Sequence, residues 1–158
     1  ENKQQPEHDT DNFSGVVAEQ LADVKSKITQ AENDRPVSFG TNEVDLVAVS
    51  KRQPDYKIEA ALEAGHRIFG ENQVQEAKSR WNTRRQLYSD LSLHLIGPLQ
   101  TNKVADAVAL FDVIEVVDRE KLARALVKEM VAQNRCVSCY IQVNTGEEIQ
   151  KSGITRIF

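Results

Sequence analysis

Five short apolar runs recur at nearly constant spacing along this 158-residue chain, and that recurrence limits the fold more than any single residue does. The runs begin near residues 46, 67, 92, 113 and 137, so successive starts lie 21 to 25 residues apart, the length of one strand followed by one helix. Leu46–Val49, Arg67–Phe69, Leu93–Ile96, Val113–Val117 and Val137–Val143 read as strands. Their continuous apolar character is that of parallel strands buried on both faces. Between them the pattern predicts a helix entered at Pro54 and closed at Gly65, a second over 72–87, a third around 101–109, and a fourth running to about 133 with Asp118 as its cap. Ahead of the repeat, Val17, Leu21, Val24 and Ile28 fall at helical spacing and give an amphipathic helix over 15–33. Residues 1–14 carry almost no apolar side chains and are expected to stay disordered, because nothing there offsets the entropy of ordering.

Alternating strand and helix makes this an α/β chain, with an open doubly wound sheet and a (β/α)8 barrel as the two architectures to choose between. No G-x-G-x-x-G follows the first strand, which weakens the dinucleotide-binding form of the open sheet. At about 23 residues per unit, three further units would add roughly 70 residues and complete an eight-stranded TIM-type barrel. The expected fold is therefore the (β/α)8 TIM-type barrel family, with about five βα units present. Residues 15–158 form the N-terminal portion of a single domain, and the sequence reads as a fragment relative to that barrel.

A formal net charge of -4 leaves no basic footprint for nucleic acid, and no basic amphipathic helix suggests a membrane surface. The apolar runs fall far short of the roughly 20 residues that cross a bilayer, and the polar N-terminus is unlike a signal peptide. The expectation is a cytoplasmic protein. Cys136 and Cys139 have C-x-x-C spacing but sit in a strand-like segment, where side chains three apart face opposite sides, so two reduced thiols are expected rather than a zinc or redox pair.

In βα folds the ligand lies outside the carboxyl ends of the strands, so the chemistry should collect just after each apolar run. The residues there are Ser50 and Lys51, then Gly70, Glu71 and Asn72, then Gly97 to Lys103, then Asn144 to Glu147 with Lys151 beyond. Lys51 is the most informative. A lysine at the mouth of an apolar barrel is partly desolvated, and a neutral amine can form a Schiff base with a carbonyl compound. Taken alone the signal is weak, since a lysine after a strand is in most cases a plain solvated charge. Asn72 either hydrogen-bonds a ligand or caps the following helix. His94 is either a core histidine bound to a backbone carbonyl or a base. Lys103 and Lys151 read as surface charges, and Glu147 and Glu148 as a solvated face.

Four blocks together are more specific than any one residue: LVAVSK at 46–51, AGHRIFGENQVQE at 64–76, LHLIGPLQTNK at 93–103 and QVNTGEEIQKSGI at 142–154. In order and spacing they resemble the pyridoxal phosphate homeostasis protein family, over residues 44–154. The resemblance implies a single-domain barrel of the type III pyridoxal phosphate class, similar to the barrel domain of alanine racemase. It implies pyridoxal 5'-phosphate (PLP) as cofactor, Lys51 as the Schiff-base lysine, and Asn72 and His94 close to the cofactor. It further implies a role in the homeostasis of PLP without catalytic turnover, with B6 vitamers as ligands and PLP-dependent enzymes as recipients. The family's phosphate-binding elements lie in a C-terminal third that has no counterpart in these residues, so the chain is expected to carry the lysine anchor without the anion cradle. Two other readings stay open. One is an amino-acid racemase or decarboxylase using the same lysine, which needs a second acid/base group across the cofactor. The other is a barrel fragment that binds no cofactor.

Overall fold

The computed structural model describes residues 10–36, 38, 40 and 43–155. The described chain divides into two compact units. One, within residues 1–46 and 52–67, carries the helices α1 (Thr10–Asp34) and α2 (Asp55–Glu63). The other, within residues 47–51 and 68–158, carries the whole sheet. Its strands are β1 (Ala48–Val49), β2 (Ile68–Glu71), β3 (Ser92–Leu95), β4 (Val113–Val117) and β5 (Ser138–Ile141). Between the strands lie α3 (Val74–Leu87), a 3-10 turn (Thr101–Lys103) leading into α4 (Val104–Leu110), and α5 (Glu120–Ala132).

In the first unit α2 packs along α1 and ends as the sequence dictates. Gly65 takes φ +80, and the Gly65 and His66 amides donate to the carbonyls of Leu62 and Ala61, closing the helix with the left-handed residue that glycine alone adopts without strain. The first unit also corrects an expectation. Residues 10–14 are helical rather than disordered, and residues 1–9 lie outside the described residues. Once 15–33 has nucleated a helix, each added turn costs little, and Ser14 Oγ donates to Glu63 of α2 at 3.3 Å.

All strand pairs are parallel, in the order β1-β2-β3-β4-β5. This sequential order has no switch point and is that of a (β/α) barrel segment rather than a doubly wound sheet. Period-2 alternation assigns Phe69, Leu93, Leu95, Ile114 and Val116 to one face, all buried. They meet Trp81 of α3, whose ring lies 4.7 Å from that of Phe69, and the buried Ala107, Val108, Leu122 and Leu126 of α4 and α5. Each large apolar side chain placed there contributes about 1.5 to 3 kcal/mol of burial.

The opposite face departs from the expected burial on both sides. Val49 is 47% exposed, His94 is half-buried, and every residue of β5 is exposed. In an eight-stranded barrel that face is filled by side chains of facing strands; over five strands it stays partly open. Asp118 does not cap α5 as expected: Arg119 stands at the N-cap position with no side-chain cap bond, and Asp118 pairs with the Arg119 guanidinium. The sequence order, Asp-Arg, places a stronger partner next to the carboxylate than a backbone amide. Cys136 and Cys139 are free thiols, and partial burial, with Cys136 adding to it, pushes the Cys139 thiol up.

Candidate functional site

The register builds the site. Val49, Gly70, His94 and Val113 are successive partners across β1 to β4 and share the open face. One rank further, the chain carries Lys51 on the turn after β1, Asn72 on the bend after β2, Ile96 just after β3, and Glu115 within β4, where the register against β5 shifts between Ile114 and Val117. The ladder extends toward this rank, because Ser50 N donates to Gly70 O at 3.0 Å and Ile96 N to Glu71 O at 2.9 Å. Lys51, Asn72 and His94 thus lie on or just after three adjacent strands spaced about 4.8 Å apart.

Lys51 itself is exposed, not desolvated as expected, because the partly open face leaves its side chain in solvent. Directly after it the chain turns through Arg52 at φ 57, a conformation uncommon for a residue with a β-carbon. Among the described residues, the side chains of Lys51 and Asn72 engage no hydrogen-bond partner. Asn72 is not a helix cap: Gln73 holds the N-cap position of α3, without a side-chain cap bond. His94 is not satisfied by a backbone carbonyl either. Its Nδ1 lies 2.6 Å from Glu115 Oε1, with 12% of its side chain exposed and 34% of that of Glu115. Glu115 went unnoticed in the sequence; the signal was a lone carboxylate inside Val-Ile-Glu-Val-Val, one strand after a lone histidine inside Leu-His-Leu.

Gly97 fixes Asn72. A β-carbon on Gly97 would stand 2.3 Å from the Asn72 carbonyl oxygen and 2.6 Å from its Cα, so only glycine admits this approach of two backbones. Gly97→Ala is expected to destabilise the fold by about 1 to 3 kcal/mol and to displace Asn72. Gly146→Ala, whose β-carbon would meet nothing nearer than Glu148 Oε1 at 3.4 Å, serves as the tolerated control. Equal denaturant midpoints for the two variants would contradict the contact.

Several residues of the expected polar ring do other work. Ser50 and Glu71 fall one residue before Lys51 and Asn72 and therefore face the helices. Buried Glu71 Oε1 accepts from Ser50 Oγ at 2.7 Å, Arg80 Nη1 at 3.0 Å and Trp81 Nε1 at 3.0 Å, and Arg80 Nη1 also donates to Ser50 O at 2.8 Å. This network ties the end of β1, and with it the position of Lys51, to β2 and α3. Asn144 organises its own loop, donating to Glu148 O at 2.9 Å, while Lys151 pairs with Glu148 at 2.6 Å. Lys103 lies on the 3-10 turn and borders a recess of about 300 Å³ with Gln73, Gln75, Leu99 and Gln100, a space that Lys51 does not line. Among the described residues no His, Cys, Asp and Glu cluster could hold a metal, and no helix is long and apolar enough to cross a membrane.

Known proteins are similar to this chain in sequence and in fold. Over 139 residues the chain is 37% identical to the pyridoxal phosphate homeostasis protein of Escherichia coli strain K12, covering 87% of this chain and 58% of that protein. The protein of the same name from Vibrio cholerae is 42% identical over 113 residues, 70% of this chain and 48% of its own. The structure of PipY from Synechococcus elongatus PCC7942 without PLP has a TM-score of 0.74 at 37% identity, covering 87% of this chain and 58% of PipY. The structure of PipY with PLP bound gives 0.71 at 36% identity, covering 87% and 57%. The chain spans about half the length of the curated relatives it matches. The match to the alanine racemase N-terminal domain over residues 41–156, on five parallel strands in sequential order, establishes that this chain belongs to the alanine racemase N-terminal domain family.

Proposed function

We propose that this chain binds PLP through a Schiff base on Lys51 and serves the intracellular homeostasis of that cofactor. The observation that carries the reading is the placement on adjacent parallel strands: an accessible lysine amine with no partner among the described residues just after β1, Asn72 just after β2 and His94 on β3. The names and titles of its relatives, PLP homeostasis proteins and a PipY structure with PLP bound, point to the same ligand. These residues fit the aldehyde half of the cofactor. Lys51 would hold the group, its amine condensing with the aldehyde as water is released, and the cofactor would supply the electrophilic carbonyl. Asn72 would donate to or accept from the edge of the ring, and His94 stands on the strand beyond.

The whole protein is read as one barrel domain of which residues 15–158 are the N-terminal portion, acting in the cytoplasm without turnover and passing B6 vitamers to PLP-dependent enzymes. Titrating the chain with PLP and with pyridoxal tests the reading. A Schiff-base absorbance band that sodium borohydride removes is the expected result with both. With the Lys51 amine in place and no phosphate cradle recognised among the described residues, the two affinities should lie within about tenfold of each other, whereas a cradle of two or three charge-assisted bonds would separate them at least a hundredfold. No band with either aldehyde would favour the non-binding reading.

A further inference from the structure

Two strands that are otherwise mostly apolar carry one histidine and one carboxylate in contact, His94 of β3 and Glu115 of β4. Glu115 lies on β4 beside His94 of β3, and His94 is in register with Gly70 of β2, where an added β-carbon would meet Val47 and Ile96 side chains at 3.0 Å. A carboxylate can only accept, so a contact of 2.6 Å between Glu115 Oε1 and His94 Nδ1 requires a proton on Nδ1. Among the described residues Nε2 has no partner. The two side chains are 34% and 12% exposed, so water competes only in part for the bond.

We propose that Glu115 is a positioning residue for His94: its carboxylate holds the proton on Nδ1 and fixes the ring, leaving Nε2 as the atom presented to an aromatic aldehyde carried on Lys51. This role rests on the PLP reading. A carboxylate that fixes the tautomer and orientation of an imidazole through its second nitrogen is a recurrent device where histidine meets a ligand. A purely structural cross-strand pair would stabilise β3 against β4 and do nothing to a ligand.

Two readouts separate these roles. Nitrogen-15 NMR of the imidazole in the cofactor-free chain should show Nδ1 protonated, and Glu115→Ala should abolish that preference while Glu115→Gln, whose amide oxygen still accepts, retains it. In PLP titrations His94→Ala and Glu115→Ala should each weaken binding about tenfold, the double variant should bind no worse than His94→Ala, and Glu115→Gln should stay within about twofold of the unmodified chain. Circular dichroism confirms that each variant is folded. An unprotonated Nδ1 in the unmodified chain, losses that add in the double variant, or unchanged binding by Glu115→Ala would each overturn the role. A chain that forms no Schiff-base band at all would overturn the PLP reading, and this role with it, whatever the NMR shows of the pair.

Discussion

Lys51→Ala is expected to abolish borohydride-reducible attachment of PLP, while Lys103→Ala keeps most of it. The chemistry allows any accessible lysine to react slowly with an aldehyde, so the discrimination has to come from position. Lys51 directly follows β1, Asn72 directly follows the neighbouring β2, and His94 lies on β3. Lys103 closes the 3-10 turn ahead of α4 and borders a separate recess. Non-covalent contacts from Asn72 and His94 should hold the aldehyde next to Lys51 and raise its effective concentration there, an advantage Lys103 lacks. Absorbance of the reduced adduct, compared at equal protein concentration, measures the difference. Loss of less than half of the signal in Lys51→Ala would mean that attachment is spread over several lysines.

Arg80→Ala is expected to destabilise the sheet-bearing unit by about 3 to 5 kcal/mol, the cost of leaving a buried charge without its partner. Glu71 is fully buried and Arg80 is 14% exposed at the side chain, so little solvent screens their contact. The same substitution removes the bond from Arg80 to the Ser50 carbonyl, which anchors the residue before Lys51. Stability and the site should therefore fail together. Lys78→Ala, which breaks an exposed pair with Asp106, should cost less than about 1 kcal/mol even though the Lys78 ammonium holds the Asp106 carboxyl below its usual range. Urea denaturation of the two variants side by side provides the check. A loss below about 1 kcal/mol for Arg80→Ala would show that Glu71 finds another partner or water.

The strands were legible because parallel strands packed under helices must be apolar at nearly every position. The expected starts near 46, 67, 92, 113 and 137 compare with observed starts at 48, 68, 92, 113 and 138. Gly65 was legible for the same kind of reason, since a glycine after an amphipathic run has few other uses. What escaped was parity. Ser50 and Glu71 were grouped with Lys51 and Asn72 as one ring after the strands, yet a step of one residue turns a side chain to the other face, where both join a buried network with Arg80 and Trp81. Glu115 escaped because its partner is 21 residues away, and only the register of β3 against β4 brings it to His94. Gly97 stands in the sequence only as the first residue after the third apolar run, and its close approach to Asn72 exists only in three dimensions. The expected desolvation of Lys51 assumed a closed barrel mouth, whereas the five strands described leave that side chain exposed.

The central claim is that one amine, that of Lys51, is the anchor. The most direct measurement is to incubate the intact chain with a slight excess of PLP, reduce with sodium borohydride, digest, and map the modified peptide by mass spectrometry. The account predicts one phosphopyridoxyl group per chain, on the peptide containing Lys51. Equal labelling of Lys51, Lys103 and Lys151, or a single adduct on any lysine other than Lys51, would contradict it.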